Sequence, residues 1–444
     1  MDSSIQLAVC VLATALLSGC ATTHTLSLSE MRAEADRSAP PPPPAAPDLA
    51  SLGSELKRVA FVQLVLDRNP SLEMARQAWK GALARVRRAG ALQDPAVEFQ
   101  LAPLSIASTN ARLGFQAMIS QQLPWPGKLI LEDDAAKYDA DAAKSDFEQA
   151  RRELALAAAV LYDDYFFVAR SLEINVQNAA LVRDLKADAL IQLEAARASI
   201  ADPIAAEAEL AHLEHDAIML STDRDVVVAQ MNELLHRDPE APLPPPPATL
   251  RSPDAISGHL ADDRPDIRAA HSRSLAAVAR ADRARRDWVP DLTLSTTYNS
   301  MWDMPEHRWM VGLGLTLPIE LGHRAGAVDE AEAERVGYEA QVMALGDKAR
   351  TAVTIATRRL EEARHLERLL EEKLTPIAHA QVDAARSGFA TSRNDFATVI
   401  AAERNLRSVQ LDAERASADI DRRAAELDYA MGRMPGPSGR GAAR

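Results

Sequence analysis

Few residues in this chain of 444 have types and spacings suited to chemistry. Met301, Met304, His307 and Met310 recur every third residue in M-W-D-M-P-E-H-R-W-M, and thioethers with an imidazole suit soft Cu(I)- or Ag(I)-like ions. The same segment carries Trp302 and Trp309, which suit a belt at a membrane interface and explain it without a metal. His212 and His215, with Glu214, lie one helical turn apart and could touch a metal. The helix around them is polar, so a solvated face is the better reading. The sequence contains no phosphate loop, nucleophile elbow, H-E-x-x-H or C-x-x-C, so nothing points to an enzyme and no cofactor is expected. A formal charge of −14 argues against nucleic acid, because phosphate binding needs a concentrated basic face and the arginines here are dispersed among acids.

The elements that would position these residues follow from periodicity. In R-L-G-F-Q-A-M-I-S-Q-Q-L-P-W-P-G-K, from Arg112 to Lys128, Leu113, Phe115, Ala117 and Ile119 alternate with small or polar residues, which predicts a strand. Pro124, Trp125, Pro126 and Gly127 stop it, because proline lacks an N–H and fixes φ. No proline follows until Pro203, so a helix is expected from Lys128 to about Ser199, on the order of 100 Å long. Ser199-Ile200-Ala201-Asp202-Pro203 should break it, with Asp202 as a cap and Pro203 at the first helical position, before a return helix to about Arg237.

Ahead of this joint, Asn69-Pro70-Ser71-Leu72 opens a helix whose apolar stripe is Leu72, Ala75, Ala78, Trp79, Ala82 and Val86. Val97, Phe99 and Leu101 then alternate with Glu98 and Gln100 in a first strand. The order repeats with an offset that varies by no more than one residue. Pro265 follows Pro70 by 195 positions, Pro290 follows Pro95 by 195, Pro318 follows Pro124 by 194 and Gly322 follows Gly127 by 195. An internal repeat therefore keeps register through helix, hairpin and joint. Its second copy predicts a strand face of Leu292, Leu294, Thr296 and Tyr298. The next strand has Val311, Leu313, Leu315 and Leu317 on its apolar face. A long helix is then expected from about Ala325 to Arg386, with Gly337, Gly346 and Pro376 as possible breakers. A turn from Gly388 to Asn394 should lead to a return helix ending near Met431. Ala-rich segments at Leu154–Val160 and Ala205–Ala211 suit close antiparallel helix approach.

At the N-terminus, an apolar segment from Ile5 to Leu17 ends in Leu17-Ser18-Gly19-Cys20, is too short to span a bilayer and sits like a signal h-region. The L-S-G-C ending resembles a bacterial lipobox, which would make Cys20 the lipidated first residue of the mature chain. The organisation is then a signal peptide over 1–19, a lipid-anchored proline-rich tether over 20–54, a first repeat over 55–237, a proline-rich connector over 238–262, a second repeat over 263–431 and a disordered tail over 432–444. Four amphipathic strands cannot close a membrane barrel alone, because single-chain barrels need about eight or more. Closure calls for further copies of the chain.

The twofold repeat, the L-S-G-C box, N-P-S-L, Q-Q-L-P-W-P-G-K and L-P-I-E-L-G-H-R, taken in order, resemble the TolC-like outer-membrane efflux proteins, in particular the branch paired with heavy-metal efflux pumps. The resemblance implies a mainly α fold with a small β part, trimerising into a 12-stranded β-barrel over an α-helical barrel in the outer membrane. It implies a homotrimer in outer-membrane lipid that meets a periplasmic adaptor (membrane fusion protein) and an inner-membrane resistance-nodulation-division pump, as a passive exit duct for metal cations. Drug or organic-compound efflux is the alternative cargo. A periplasmic adaptor and a coiled-coil scaffold are the alternative classes. An adaptor would show one hairpin and a β-rich domain, and a scaffold would lack the four strands. The resemblance assigns adaptor contact and gating to the helix tips, Arg197–Pro203 and Arg386–Phe396, with Asp202, Pro203, Gly388 and Asp395. The paired gate acids of some members would fall at Thr398 and Ala401 if Leu406 is the family's leucine, so that acidic ring is absent here and Asp395 is the nearest acid.

Overall fold

The computed structural model describes residues 54–106, 113–196, 198–250, 264–391 and 393–435, together with 29, 30 and 33. The segments expected as signal peptide, with Cys20 after it, nearly all of the expected tether, part of the expected connector, Arg197, Ser392 and most of the expected tail lie outside the described residues. The elements run α1 (Arg58–Arg68), α2 (Pro70–Ala89), β1 (Ala96–Leu101), β2 (Phe115–Leu123), α3 (Lys128–Glu194), α4 (Ala201–Leu234), α5 (Pro265–Arg286), β3 (Asp291–Asn299), β4 (Trp309–Thr316), α6 (Leu321–Leu369), α7 (Thr375–Ala390) and α8 (Phe396–Ala430). The chain is mainly α with a small antiparallel sheet, and the order after α1 is the predicted repeat of helix, hairpin, long helix and return helix. Among the described residues no helix is long and apolar enough to cross a membrane.

The chain divides into two compact units. One contains Met74–Phe147 and Pro265–Gly346, and its centre is the sheet, in the order β1-β2-β3-β4, all antiparallel. The register sets Val97 opposite Ile119, Ile119 opposite Thr296 and Thr296 opposite Val311. Since side chains directly opposite share a face, every apolar alternation expected from the sequence lands on one side. That side is open: Val311 is 74% and Leu313 72% exposed, and Val97, Phe99 and Leu315 are exposed as well. The other face carries Glu98, Gln116, Ser120, Gln122, Thr293 and Ser295, all polar. At the loop end an aromatic row crosses all four strands, with centroid distances of 5.8 Å for Phe99–Phe115, 5.6 Å for Phe115–Tyr298 and 5.2 Å for Tyr298–Trp309. Beside the sheet, Trp79 of α2 stacks on Phe147 of α3 at 6.0 Å. In the α2 stripe, Leu83 takes the buried place expected for Ala78, which is exposed.

The other unit takes in the described residues among 40–73, 148–264 and 347–444. The sequence reading did not anticipate α1, whose Phe61, Val65 and Leu66 pack with Leu56 on Ala155, Ala158, Ala159 and Tyr162 of α3. The described part of the connector is held too, since Tyr165 donates to the Pro244 carbonyl at 3.0 Å and the Leu56 N–H to that of Pro245 at 2.9 Å, while Tyr162 donates to the Leu56 carbonyl at 2.5 Å. The internal repeat reappears as matched hydrogen bonds. Asn69, before Pro70, donates to the final carbonyl of α4 at Leu234 (3.0 Å), and Arg264, before Pro265, donates to that of α8 at Ala430 (2.5 Å). The return helices end alike, with His236 (φ 55°) and Gly432 (φ 81°) in the left-handed region. Beyond them Arg237 N–H reaches Asn232 O at 2.9 Å and Arg433 N–H reaches Asp428 O at 2.7 Å, the Schellman closure that satisfies terminal carbonyls.

Several boundaries differ from expectation. The first long helix ends at Glu194, before Ser199. Gly337 and Gly346 sit inside an unbroken α6, which begins at Leu321. The break comes before Pro376, where a π-helical turn occupies Leu370–Leu374 and Thr375 N–H reaches back to Leu370 O. Proline removes an N–H and crowds the carbonyl four residues back, and the wider turn accommodates both. Gly388 lies within α7, which runs on to Ala390, so the turn starts three residues later than predicted.

Candidate functional site

The first strand-to-helix joint is built around a buried lysine. Lys128, 4% exposed, donates through Nζ to Val289 O at 2.9 Å and Asp291 Oδ1 at 2.9 Å, and lies 3.4 Å from Asp287. Asp291 Oδ1 also accepts from the Trp125 backbone N–H at 2.8 Å. One carboxylate at the entry to β3 therefore holds both ends of the Pro124-Trp125-Pro126-Gly127 stop. Gly127 has φ +94°, and a Cβ there would come within 1.8 Å of Arg286 Nη1. The residue must be glycine for two reasons, backbone conformation and the guanidinium stacked over it.

The second joint is not a copy. Gly322 is the second residue of α6, and a Cβ there would meet nothing within 4 Å. Pro318 ends the strand as expected, but the link back to the β3 entry comes from Arg324, whose Nη1 donates to Asp287 O. Lys128, Arg286, Asp291 and Arg324 were missed as joint residues. Lys128 and Arg324 do stand at the ends of the two quoted motifs, which was the available signal.

At the tips, Ser199 and Asp202 share the cap. Ser199 Oγ accepts from Ala201 N–H at 3.2 Å, and Asp202 Oδ2 accepts from Ser199 N–H at 3.0 Å. The two bonds have the reciprocal pattern of a capping box, shared between Ser199 and Asp202, and with the helix starting at Ala201, Pro203 is buried at the third helical position rather than the first. At the other tip Asp395 caps α8, accepting from Thr398 N–H at 3.0 Å and from the Thr398 hydroxyl. The Thr398 hydroxyl and amide hold its carboxyl below the usual range. Gly388 O accepts from Arg393 N–H at 2.7 Å, and a Cβ on Gly388 would lie 2.2 Å from Asn394 Nδ2. The two hairpins are joined by Val182, Leu185, Leu213, Val382, Phe396 and Leu406. Charge pairs reinforce them, with Arg404 donating to buried Glu209 at 2.6 Å and Arg386 to buried Glu403 at 2.7 Å.

The four soft candidates are all exposed. Met301 lies against Gly114, the His307 ring meets Trp302 edge-on at 6.0 Å, and Met310 sits in β4 opposite Thr297. His212 and His215 are exposed on α4 while Leu213 between them is buried. Among the described residues no group of three or more His, Cys, Asp or Glu side chains is placed to hold a metal ion.

A buried acidic cluster near α1 went unnoticed in the sequence. Fully buried Asp163 of α3 accepts from Arg58 Nε and Nη2, each at 2.8 Å. Burial pushes its carboxyl up to about 7, against Arg58, which draws it down. Asp421 and Asp428 of α8 are likewise raised by burial, each to about 6.

Residues 257–433 match the family model for outer membrane efflux proteins. No curated protein matches the sequence. Among solved structures, CusC matches with TM-score 0.73 at 18% identity, covering 84% of this chain and 91% of that one. VceC from Vibrio cholerae matches with TM-score 0.72 at 19% identity, over 84% and 95%. The open-state MtrE channel of Neisseria gonorrhoeae matches with TM-score 0.70 at 18% identity, over 84% and 88%. The chain shares its fold with these outer-membrane channels.

Proposed function

We propose that the protein is the outer-membrane channel of a tripartite efflux system, a passive exit duct that performs no chemistry itself. The observation that carries this reading is the sheet. Its apolar side is exposed along β1 and β4 and at Ile119 and Leu294, its other side is mostly polar, and β1 and β4 are left as unpaired edges. An exposed apolar face of this kind on strands of six to nine residues suits lipid, and open edges call for pairing. Three copies, each joining β4 to the next β1, would close a 12-stranded barrel, with polar side chains inward and the aromatic row as an interfacial girdle. A helix of 67 residues starting at the barrel rim has the length, on the order of 100 Å, to carry the duct into the periplasm.

Within this reading Cys20 carries the lipid, the Pro124–Gly127 and Pro318–Gly322 joints mark the membrane boundary, and the tips around Asp202, Pro203, Gly388 and Asp395 meet an adaptor coupled to an inner-membrane resistance-nodulation-division pump. The likeness to CusC, with TM-score 0.73, is close to those to VceC at 0.72 and MtrE at 0.70, so the heavy-metal branch rests on the sequence motifs. Metal cations and organic compounds both remain cargo classes of the proposal. Purified protein added to planar bilayers should give stepwise, trimer-sized conductance, and protein that never inserts would sink the channel reading. Deleting the gene and measuring tolerance to copper, silver, zinc, cobalt and small drugs assigns the cargo.

A further inference from the structure

A cleft of about 620 Å³ lies at the first joint, lined from α2, β2, α3 and α5. Gln122 and Asp291, both on the polar face of the sheet, line it, so it opens on the polar side. Its acids are all engaged: Asp291 by Lys128, Asp139 by Arg280, Glu132 by Arg283, and Asp287 by Lys128 and Arg283. Arg85 and Arg88 also line the cleft, and neither has a carboxylate partner among the described residues. They stand one turn apart on α2, where like charges repel. A favourable end-of-helix field accounts for Arg88, in the last turn of α2, but Arg85 lies a turn earlier. That field does not explain two that share a cleft whose acids are all taken, in a chain of net charge −14.

We propose that this cleft is an anion-binding station on the conducting path, taking solutes that bear carboxylate or phosphate groups through Arg85 and Arg88. Guanidinium forks match both groups in bidentate geometry. The inference rests on the channel reading above. Three copies would place six such arginines at the mouth of the barrel, so the pore prefers anions, which favours anionic organic cargo over bare metal cations.

Two measurements test it. Calorimetry on the detergent-solubilised full chain, with inorganic phosphate as probe, should show binding that weakens at least about tenfold in Arg85→Gln/Arg88→Gln. A parallel arm replaces phosphate with phosphatidylglycerol. Planar bilayers under a KCl gradient should give a chloride-over-potassium permeability ratio above one that falls severalfold in the same variant and is kept by Arg85→Lys/Arg88→Lys. The proposal is overturned if the wild-type chain binds no phosphate, if the glutamine variant binds it equally well, if only the lipid binds, or if the permeability ratio is unchanged. Phosphate binding that depends on both arginines in a chain that never conducts would uphold the site and defeat the channel reading.

Discussion

Gly127 and Gly322 occupy equivalent places in the repeat, yet only one is required by geometry. Gly127 combines φ +94° with the Arg286 guanidinium where a Cβ would go, whereas Gly322 has open space around it. Gly127→Val should therefore cost on the order of 1–3 kcal/mol and lower the yield of assembled protein, while Gly322→Val should be close to neutral. Thermal melting and native electrophoresis of the two variants, side by side, check this. Equal behaviour would mean that the joint is not governed by the contact with Arg286.

Among the elements, the second repeat shows how a long helix absorbs a proline. Pro376 stands two residues into α7, and the π-helical turn over Leu370–Leu374 precedes it. If the missing N–H and the ring clash produce the turn, Pro376→Ala should let α6 and α7 run together as regular α-helix. Amide exchange across 370–376 should then slow. Unchanged or faster exchange would assign the turn to packing around Leu370, which is buried. Glycine behaves differently from proline here. Gly337 and Gly346 weaken propensity by about 1 kcal/mol each but remove no hydrogen bond, and the helix passes through both.

For the whole molecule, the buried acids predict a pH dependence. Asp421 and Asp428 are raised by burial to about 6, and Asp163 to about 7. Arg58 opposes the rise at all three, with Arg422 also acting on Asp163 and Arg433 on Asp428. A carboxyl raised above its unfolded value binds its proton more tightly in the folded chain. Its contribution is thus fully present below about pH 4 and is lost as pH rises through 6 to 7. The helical unit should melt at higher temperature at pH 5 than at pH 7.5, by far-ultraviolet circular dichroism. Asp421→Asn/Asp428→Asn should flatten the difference. A melting temperature that falls on acidification would show that the bidentate Arg58 pair keeps these groups ionised.

The sequence by itself determined the repeat, the four strands, the first long helix and the strand-to-helix joints, and it placed both tips to within a few residues. Those features rest on local physics: a period of two or 3.6, the N–H that proline lacks, and polar residues at helix ends. Only the tertiary structure decided that α1 seals the α3 core, that Ser199 shares the cap with Asp202, that Asp291 anchors Lys128 and Trp125 together, and that Arg85 and Arg88 have no carboxylate partner among the described residues. Two of these depend on partners more than 100 positions away in the chain, as with Arg58 and Asp163 or Lys128 and Asp291. A periodic pattern shows which face of a helix is apolar. Which charge meets which across two repeats depends on their packing in space.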